Sequence, residues 1–221
     1  MNQPAVIFDM DGVMVDNFEY HYRAWLEFLN RHGTGITRDQ LRTMFFGRGN
    51  REIFEILFGR QITQEEALSL SQEKEKLYRD IYRPEVVLTD GLQNFLAELS
   101  SNNILTAIAT SAPRENVDFL IRETSLDHSF SAIIDSSMVE KAKPDPEIYL
   151  TAAAELGAEP RKCIVFEDSL NGIKSAQRAG MRVVALTTSH KRKELDGVDL
   201  VIDDFTGISL NDLRLIIARH A

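Results

Sequence analysis

Ala5-Val6-Ile7-Phe8 is an unbroken apolar run, and Asp9-Met10-Asp11-Gly12 follows it directly. A short apolar run with no polar alternation suits a strand buried on both faces, as in the middle of a parallel sheet. Charged side chains are rarely buried unless paired or bound to a metal. Two aspartates at the end of such a strand therefore point to a site rather than to packing. Gly12 lets the chain turn sharply straight after them. An acidic turn alone is a weak signal, so the question is whether other strands end on matching partners.

The rest of the chain supplies the strands. From about residue 92, helical and apolar stretches alternate. A helix from Leu92 to Leu99 precedes a strand at Ile104 to Ala109. Pro113 suits the first turn of a helix from about Arg114 to Glu123. A short strand at Ala132 to Ile134 follows, then Asp145-Pro146 as an N-cap and first helical residue of a helix to Leu156. The strand Cys163 to Phe166 leads into a helix ending at Gly180, then strands at Arg182 to Leu186 and Leu200 to Ile202, and a last helix from about Leu210 to His220. This alternation predicts an α/β fold, a Rossmann-like parallel sheet with helices on both faces.

The connection after the first strand does not fit that rhythm. From Asn17 to Arg83 the pattern is helical, with Phe18 to Leu29 amphipathic and capping boxes at Thr37-Arg38-Asp39-Gln40 and Thr63-Gln64-Glu65-Glu66. Gly47 and Gly49 interrupt it, and Pro84 with Asp90-Gly91 marks the return. A βα crossover needs about a dozen residues. The economical expectation is a helical cap domain, residues 17–83, inserted into a discontinuous α/β core of residues 1–16 and 84–221.

Composition removes several classes. The net charge is −9 with no long basic run, so no nucleic-acid partner is expected. No apolar stretch is long enough to span a bilayer, and no signal-like segment precedes the first strand, so no membrane partner is expected and the location reads as cytoplasmic. The single cysteine, Cys163, lies in an apolar run and suits a reducing compartment.

Four polar signals fall at or near the carboxyl ends of expected strands: Asp9 and Asp11, Thr110 and Ser111, Lys143, and Glu167 with Asp168. Each alone could cap a helix or decorate a loop. Together, in order, they mark the sheet edge where open α/β folds bind ligands. The residue types suit phosphoryl transfer. Carboxylates favour Mg²⁺, lysine and hydroxyl or backbone donors hold phosphate oxygens, one carboxylate can attack phosphorus and a second can shuttle a proton. The P-loop pattern is absent.

These motifs, Phe8-Asp9-Met10-Asp11-Gly12, Ala109-Thr110-Ser111, Lys143-Pro144-Asp145-Pro146 and Phe166-Glu167-Asp168-Ser169, resemble those of the haloacid dehalogenase superfamily over nearly the whole chain. More narrowly, the chain looks like the β-phosphoglucomutase-like phosphatases with a small helical cap. The resemblance implies Asp9 as nucleophile and Asp11 as general acid/base. It implies Mg²⁺ on Asp9, the Asp11 main-chain carbonyl and Asp168, with Glu167 as an additional ligand or a supporting group. Thr110 and Lys143 would hold the phosphoryl group, with Ser111 contributing its backbone N–H.

In the cap, Tyr20-His21-Tyr22-Arg23-Ala24-Trp25 and Asn50-Arg51-Glu52 resemble the β-phosphoglucomutase cap, and the stretch around Lys74 does so more loosely. This implies substrate-side roles for His21, Arg51 and Lys74, with Lys74 open between such a role and plain solvated charge. Two departures favour hydrolysis over mutase chemistry. Ala112-Pro113-Arg114 stands where the mutases carry a Ser-Lys-Asn run for the distal phosphate, and Asn17 replaces a threonine. Arg114 restores part of that contact if it points inward. The expected activity is a Mg²⁺-dependent phosphatase of small phosphorylated metabolites, sugar phosphates foremost, acting as a monomer or weak homo-oligomer. A β-phosphoglucomutase is the alternative, and a catalytically silent binding protein on the same fold is a third reading.

Overall fold

A computed structural model describes residues 4–33 and 50–219. The chain divides into two compact units, one running to Asp16 and resuming at Val86, the other Asn17–Glu85.

The first unit is built on six parallel strands: β1 (Ala5–Phe8), β2 (Thr106–Ala109), β3 (Ala132–Ile134), β4 (Cys163–Glu167), β5 (Arg182–Leu186) and β6 (Leu200–Ile202). Their order is β3-β2-β1-β4-β5-β6. The order reverses at β1, so the Asp9 loop opens at the switch point where such sheets leave a crevice. Four helices of this unit bear on the site or its surroundings: α4 (Leu92–Ser101), α5 (Arg114–Thr124), α6 (Glu147–Glu155) and α7 (Leu170–Arg178); α8 (Leu210–Ala218) closes the described chain.

Alternation along the strands divides the core. Ile7, Ala107, Val165 and Val183 face Tyr149, Ala152, Ile173 and Ala176 of α6 and α7. On the other face Phe8 stacks on its register partner Phe166, with ring centroids 5.0 Å apart, and Phe95, Phe130 and Phe205 join the aromatic layer. Such ring pairs contribute about 0.5–1.5 kcal/mol each beyond their buried area. They fix β1 against β4, the two strands that deliver carboxylates. The two chain crossings near Asp16 and Val86 are also tied within this unit. Thr89 N–H donates to Met14 O at 2.9 Å, and its hydroxyl donates to Val13 O at 2.7 Å.

Some boundaries differ from expectation. β2 begins at Thr106, not Ile104, because the Ile104 N–H is spent on Leu99 O at the end of α4. Pro113 and Pro146 stand as N-caps rather than inside their helices. Asp145 still serves the start of α6, its carboxylate accepting from Glu147 N–H at 3.1 Å.

The second unit contains α1 (Phe18–Arg31), α2 (Asn50–Phe58) and α3 (Gln64–Tyr82). α1 buries Ala24, Trp25, Phe28 and Leu29, and both aromatic rings meet Phe54 of α2 at 5.6 Å. Thr63 caps α3 by accepting from Glu66 N–H. The Glu66 carboxylate does not return the bond; it pairs with Arg60 instead. The expected capping box at Thr37 to Gln40, and Gly47 and Gly49, lie outside the described residues.

Candidate active site

Asp9 follows β1 and is held by its own N–H donating to Phe166 O of β4 at 3.0 Å. Gly12 then turns the loop with φ +77, and a Cβ there would lie 2.0 Å from Asp168 Oδ2. Glycine is needed twice at this position, for the left-handed backbone and for the room the Asp168 carboxylate takes. Asp11 is half-buried between them.

The side chains of Asp9, Glu167 and Asp168 converge, each offering a carboxylate oxygen within 4.8 Å of the others. All three are buried. Lys143 reaches in from the loop after β3. Its ammonium donates to Asp9 Oδ1 at 3.0 Å, Glu167 Oε1 at 2.7 Å and Tyr149 Oη at 2.9 Å, and lies 3.3 Å from Ala109 O. Tyr149, from α6, donates in turn to Glu167 Oε1 at 3.0 Å.

The two acids on β4 differ in what they have left to give. Glu167 Oε2 accepts from Asp168 N–H and Ser169 N–H, both at 2.8 Å, and from the Ser169 hydroxyl at 3.0 Å. With Lys143 and Tyr149 on Oε1, both its oxygens are already engaged. It is a scaffold for Lys143 and the loop more than an open ligand. Gly172 of α7 makes this possible, since a Cβ there would sit 1.6 Å from Glu167 Oε1. Asp168 receives the Ser189 hydroxyl on Oδ2.

Electrostatics follow from burial. Burial pushes the Asp9 carboxyl up to about 7, with Lys143 pulling it back and Glu167 and Asp11 pushing it further. Asp168 is raised well above the ordinary range, first by burial and then by its two acidic neighbours. Burial also acts on Glu167, but the adjacent Lys143 ammonium takes it below the usual value. Lys143 is itself raised: desolvation lowers it, and Asp9 with Glu167 outweighs that. This cluster holds more negative charge than its one ammonium balances. A buried set of hard oxygen donors with surplus negative charge fits a hard divalent cation.

The remaining expected residues fall as follows. Thr110 is buried after β2, and its hydroxyl accepts from Ala112 N–H at 3.1 Å, shaping the loop. Ser111 is exposed and lines a cavity of about 160 Å³ with Ser136 and Lys143. Arg114 is not drawn inward: its guanidinium pairs with Asp118 one turn along α5 at 2.7 Å, on an exposed face. In the helical unit, Arg51 is exposed and pairs with Glu55 at 3.2 Å. Lys74 is no solvated charge. It is 4% exposed and donates to Glu75 at 2.8 Å. It also stands 3.0 Å from His21 Nδ1. An ammonium has no lone pair, so His21 accepts at Nδ1 and carries its proton on Nε2. His21 stacks on Tyr78 at 3.8 Å.

Sequence reasoning missed Tyr149, Gly172 and Ser189. Ser189 could have been found by extending the strand-end rule to the fifth strand, where Thr187-Thr188-Ser189 follows Leu186. Thr188 donates to Gly12 O from the same turn. Gly172 carried a weaker signal, a glycine inside a helix that costs about 1 kcal/mol against alanine. Nothing singled out Tyr149.

The family model for haloacid dehalogenase-like hydrolases matches residues 6–186. The chain belongs to the haloacid dehalogenase-like hydrolase family. It is 32% identical over 218 residues to a β-phosphoglucomutase of Bacillus subtilis, covering 95% of this chain and 93% of that protein. It is 30% identical over 181 residues to a phosphorylated carbohydrates phosphatase of Thermotoga maritima, covering 80% and 82%. Among solved structures it is similar to an Entamoeba histolytica HAD hydrolase of family IA, variant 3, with TM-score 0.91, 32% identity, and 98% and 100% of the two chains covered. These relatives place it among the phosphatase-type enzymes of the family, β-phosphoglucomutase-like in sequence. Among the described residues no helix is long and apolar enough to cross a membrane.

Proposed function

We propose that this protein hydrolyses phosphate monoesters of small sugar-like metabolites through a phosphorylated Asp9. The observation that carries the reading is the buried meeting of Asp9 with Lys143, Glu167 and Asp168 at the carboxyl edge of the sheet. An Asp9 carboxylate oxygen attacks phosphorus, and Asp11 gives its proton to the departing alkoxide, releasing the alcohol. Asp11 then takes a proton from the water that attacks the aspartyl-phosphate, and Asp9 leaves as carboxylate with free phosphate. Lys143 screens the phosphoryl oxygens, and Thr110 and the Ser111 N–H hold them. Mg²⁺ would be held by Asp9, the Asp11 carbonyl and Asp168, and would supply charge stabilisation for the phosphoryl group. In the helical unit, Arg51 is proposed to bind a second anionic group on the substrate, with His21 and Lys74 supporting selection.

Hydrolysis is preferred to mutase chemistry because the one cation at the replaced Ser-Lys-Asn stretch, Arg114, is committed to Asp118. The test supplies β-glucose 1-phosphate with a catalytic amount of the 1,6-bisphosphate and follows free phosphate and glucose 6-phosphate together. Phosphate release that needs Mg²⁺ and stops in excess chelator is expected. Glucose 6-phosphate forming much faster than phosphate would instead make the enzyme a mutase.

A further inference from the structure

The opposite edge of the sheet carries a second concavity. A cleft of about 660 Å³ opens where β5 and β6 begin, lined by Gln177, Met181, Arg182, Gly197, Asp199 and Arg219 among others. Its volume lies in the range of small-molecule sites. Arg182 is the first residue of β5, and its Nε is buried with no hydrogen-bond partner. A buried N–H left unpaired is costly and uncommon in folded proteins. Among the described residues neither Arg182 nor Arg219 has a carboxylate partner, whereas Arg60, Arg114 and Arg192 are paired with Glu66, Asp118 and Asp203.

The other polar groups of the lining are already committed. Gln177 Nε2 donates to Gly197 O at 2.8 Å, and Asp199 Oδ2 accepts from Val183 N–H at 2.8 Å. Asp199 is the one acidic residue of the lining among the described residues. Two guanidinium groups therefore remain for a ligand, and the guanidinium fork matches planar or tetrahedral oxyanions.

We propose that this cleft is a second binding site, separate from the carboxylate cluster, for a compact oxyanion carried by a small metabolite, with Arg182 and Arg219 as its ligands. Phosphate and carboxylate share the required chemistry. The test is an NMR titration of the ¹⁵N-labelled full chain without divalent cation, using inorganic phosphate in one arm and malonate in the other. Saturable shifts are expected at the amides of Gly180, Gly197 and Val198 and at the Arg182 Nε–H. Saturation by phosphate alone or by malonate alone assigns the source, and either supports the proposal. Arg182→Gln should weaken this binding about tenfold or more, as loss of a charge-assisted contact predicts. It should leave phosphatase turnover unchanged. Arg219→Gln provides the second variant should Arg182→Gln fail to fold. Shifts confined to residues around Asp9, or no saturation below about 10 mM of either probe, would overturn it.

Discussion

Lys143, at the carboxyl edge of the sheet, contacts two buried carboxylates, Asp9 and Glu167, with Asp168 a third close by. Lys74, in the helical unit, contacts one, Glu75, and a histidine nitrogen, and lies 5.3 Å from the centre of the Trp25 ring and 5.9 Å from that of Tyr78. Both ammonium-bearing side chains are largely hidden from water, but the charge balances differ. Among the described residues the Lys74 cluster sets one ammonium against one carboxylate and places it near two aromatic faces. The Lys143 cluster, fully ionised, leaves two negative charges over. Among the described residues the helical cluster is charge-balanced, while the sheet cluster has to stay partly protonated or take up a cation. The raised Asp9 and Asp168 carboxyls are the first of those outcomes. Divalent metal would provide the second.

The largest expected effect separates chemistry from charge balance. Asp9→Asn keeps the shape of the side chain and cannot attack phosphorus, so turnover should fall about 10⁴-fold or more. The circular dichroism spectrum should be unchanged. A folded Asp9→Asn protein with near-normal turnover would remove Asp9 from the mechanism.

Next comes the pair of lysines. Lys143→Met and Lys74→Met each strand a buried carboxylate, and each should cost about 3–5 kcal/mol in denaturant unfolding. Mg²⁺ should recover part of the Lys143→Met loss and none of the Lys74→Met loss. An equal response of both variants would break the comparison. In the unaltered protein, Mg²⁺ at about a hundred times its Kd should add about 2.7 kcal/mol of stability. A thermal midpoint indifferent to Mg²⁺ and to chelator would show that the surplus charge is met by protons alone.

Gly172→Ala probes the scaffold beneath Lys143. The added methyl meets the Glu167 carboxylate, and overpacking of this kind costs about 1–3 kcal/mol. Activity should fall with stability, and an alanine variant matching the parent in both would mean α7 gives way freely. The smallest effect belongs to Arg114→Ala. An exposed i,i+4 pair contributes little, so stability should stay within about 0.5 kcal/mol and kcat/KM for monophosphates should not move. A selective loss with bisphosphorylated sugars would return Arg114 to the substrate.

Much of this was legible in the chain. Apolar runs ending on Asp9, Thr110 and Glu167 gave both the parallel sheet and its functional edge, because buried strands leave polar residues only where they emerge. What stayed hidden depends on distance in sequence. Tyr149 reaches Glu167 across 18 positions and Ser189 reaches Asp168 across 21, and no local pattern announces such pairs. Lys74 could not be told from surface charge, since a lysine beside a glutamate in a helix looks the same whether it is buried or solvated. Arg114 shows the converse. Asp118, one helical turn on, lay in plain view, and that local pair took the side chain.

The tie between Thr89 and the Val13-Met14 turn bears on how the chain closes around its excursion. Residues Asn17–Glu85, roughly 70 in all, leave and re-enter the first unit at that stitch. Stretching a connection from about a dozen residues to about seventy is about two and a half doublings, and each doubling adds about 0.6 kcal/mol of closure entropy. The two Thr89 hydrogen bonds contribute about 0.5–1.5 kcal/mol each, enough to offset most of that sum. Insert length at this junction is therefore nearly free to drift, and polypeptides with far longer or far shorter excursions between positions 16 and 86 could fold the same sheet.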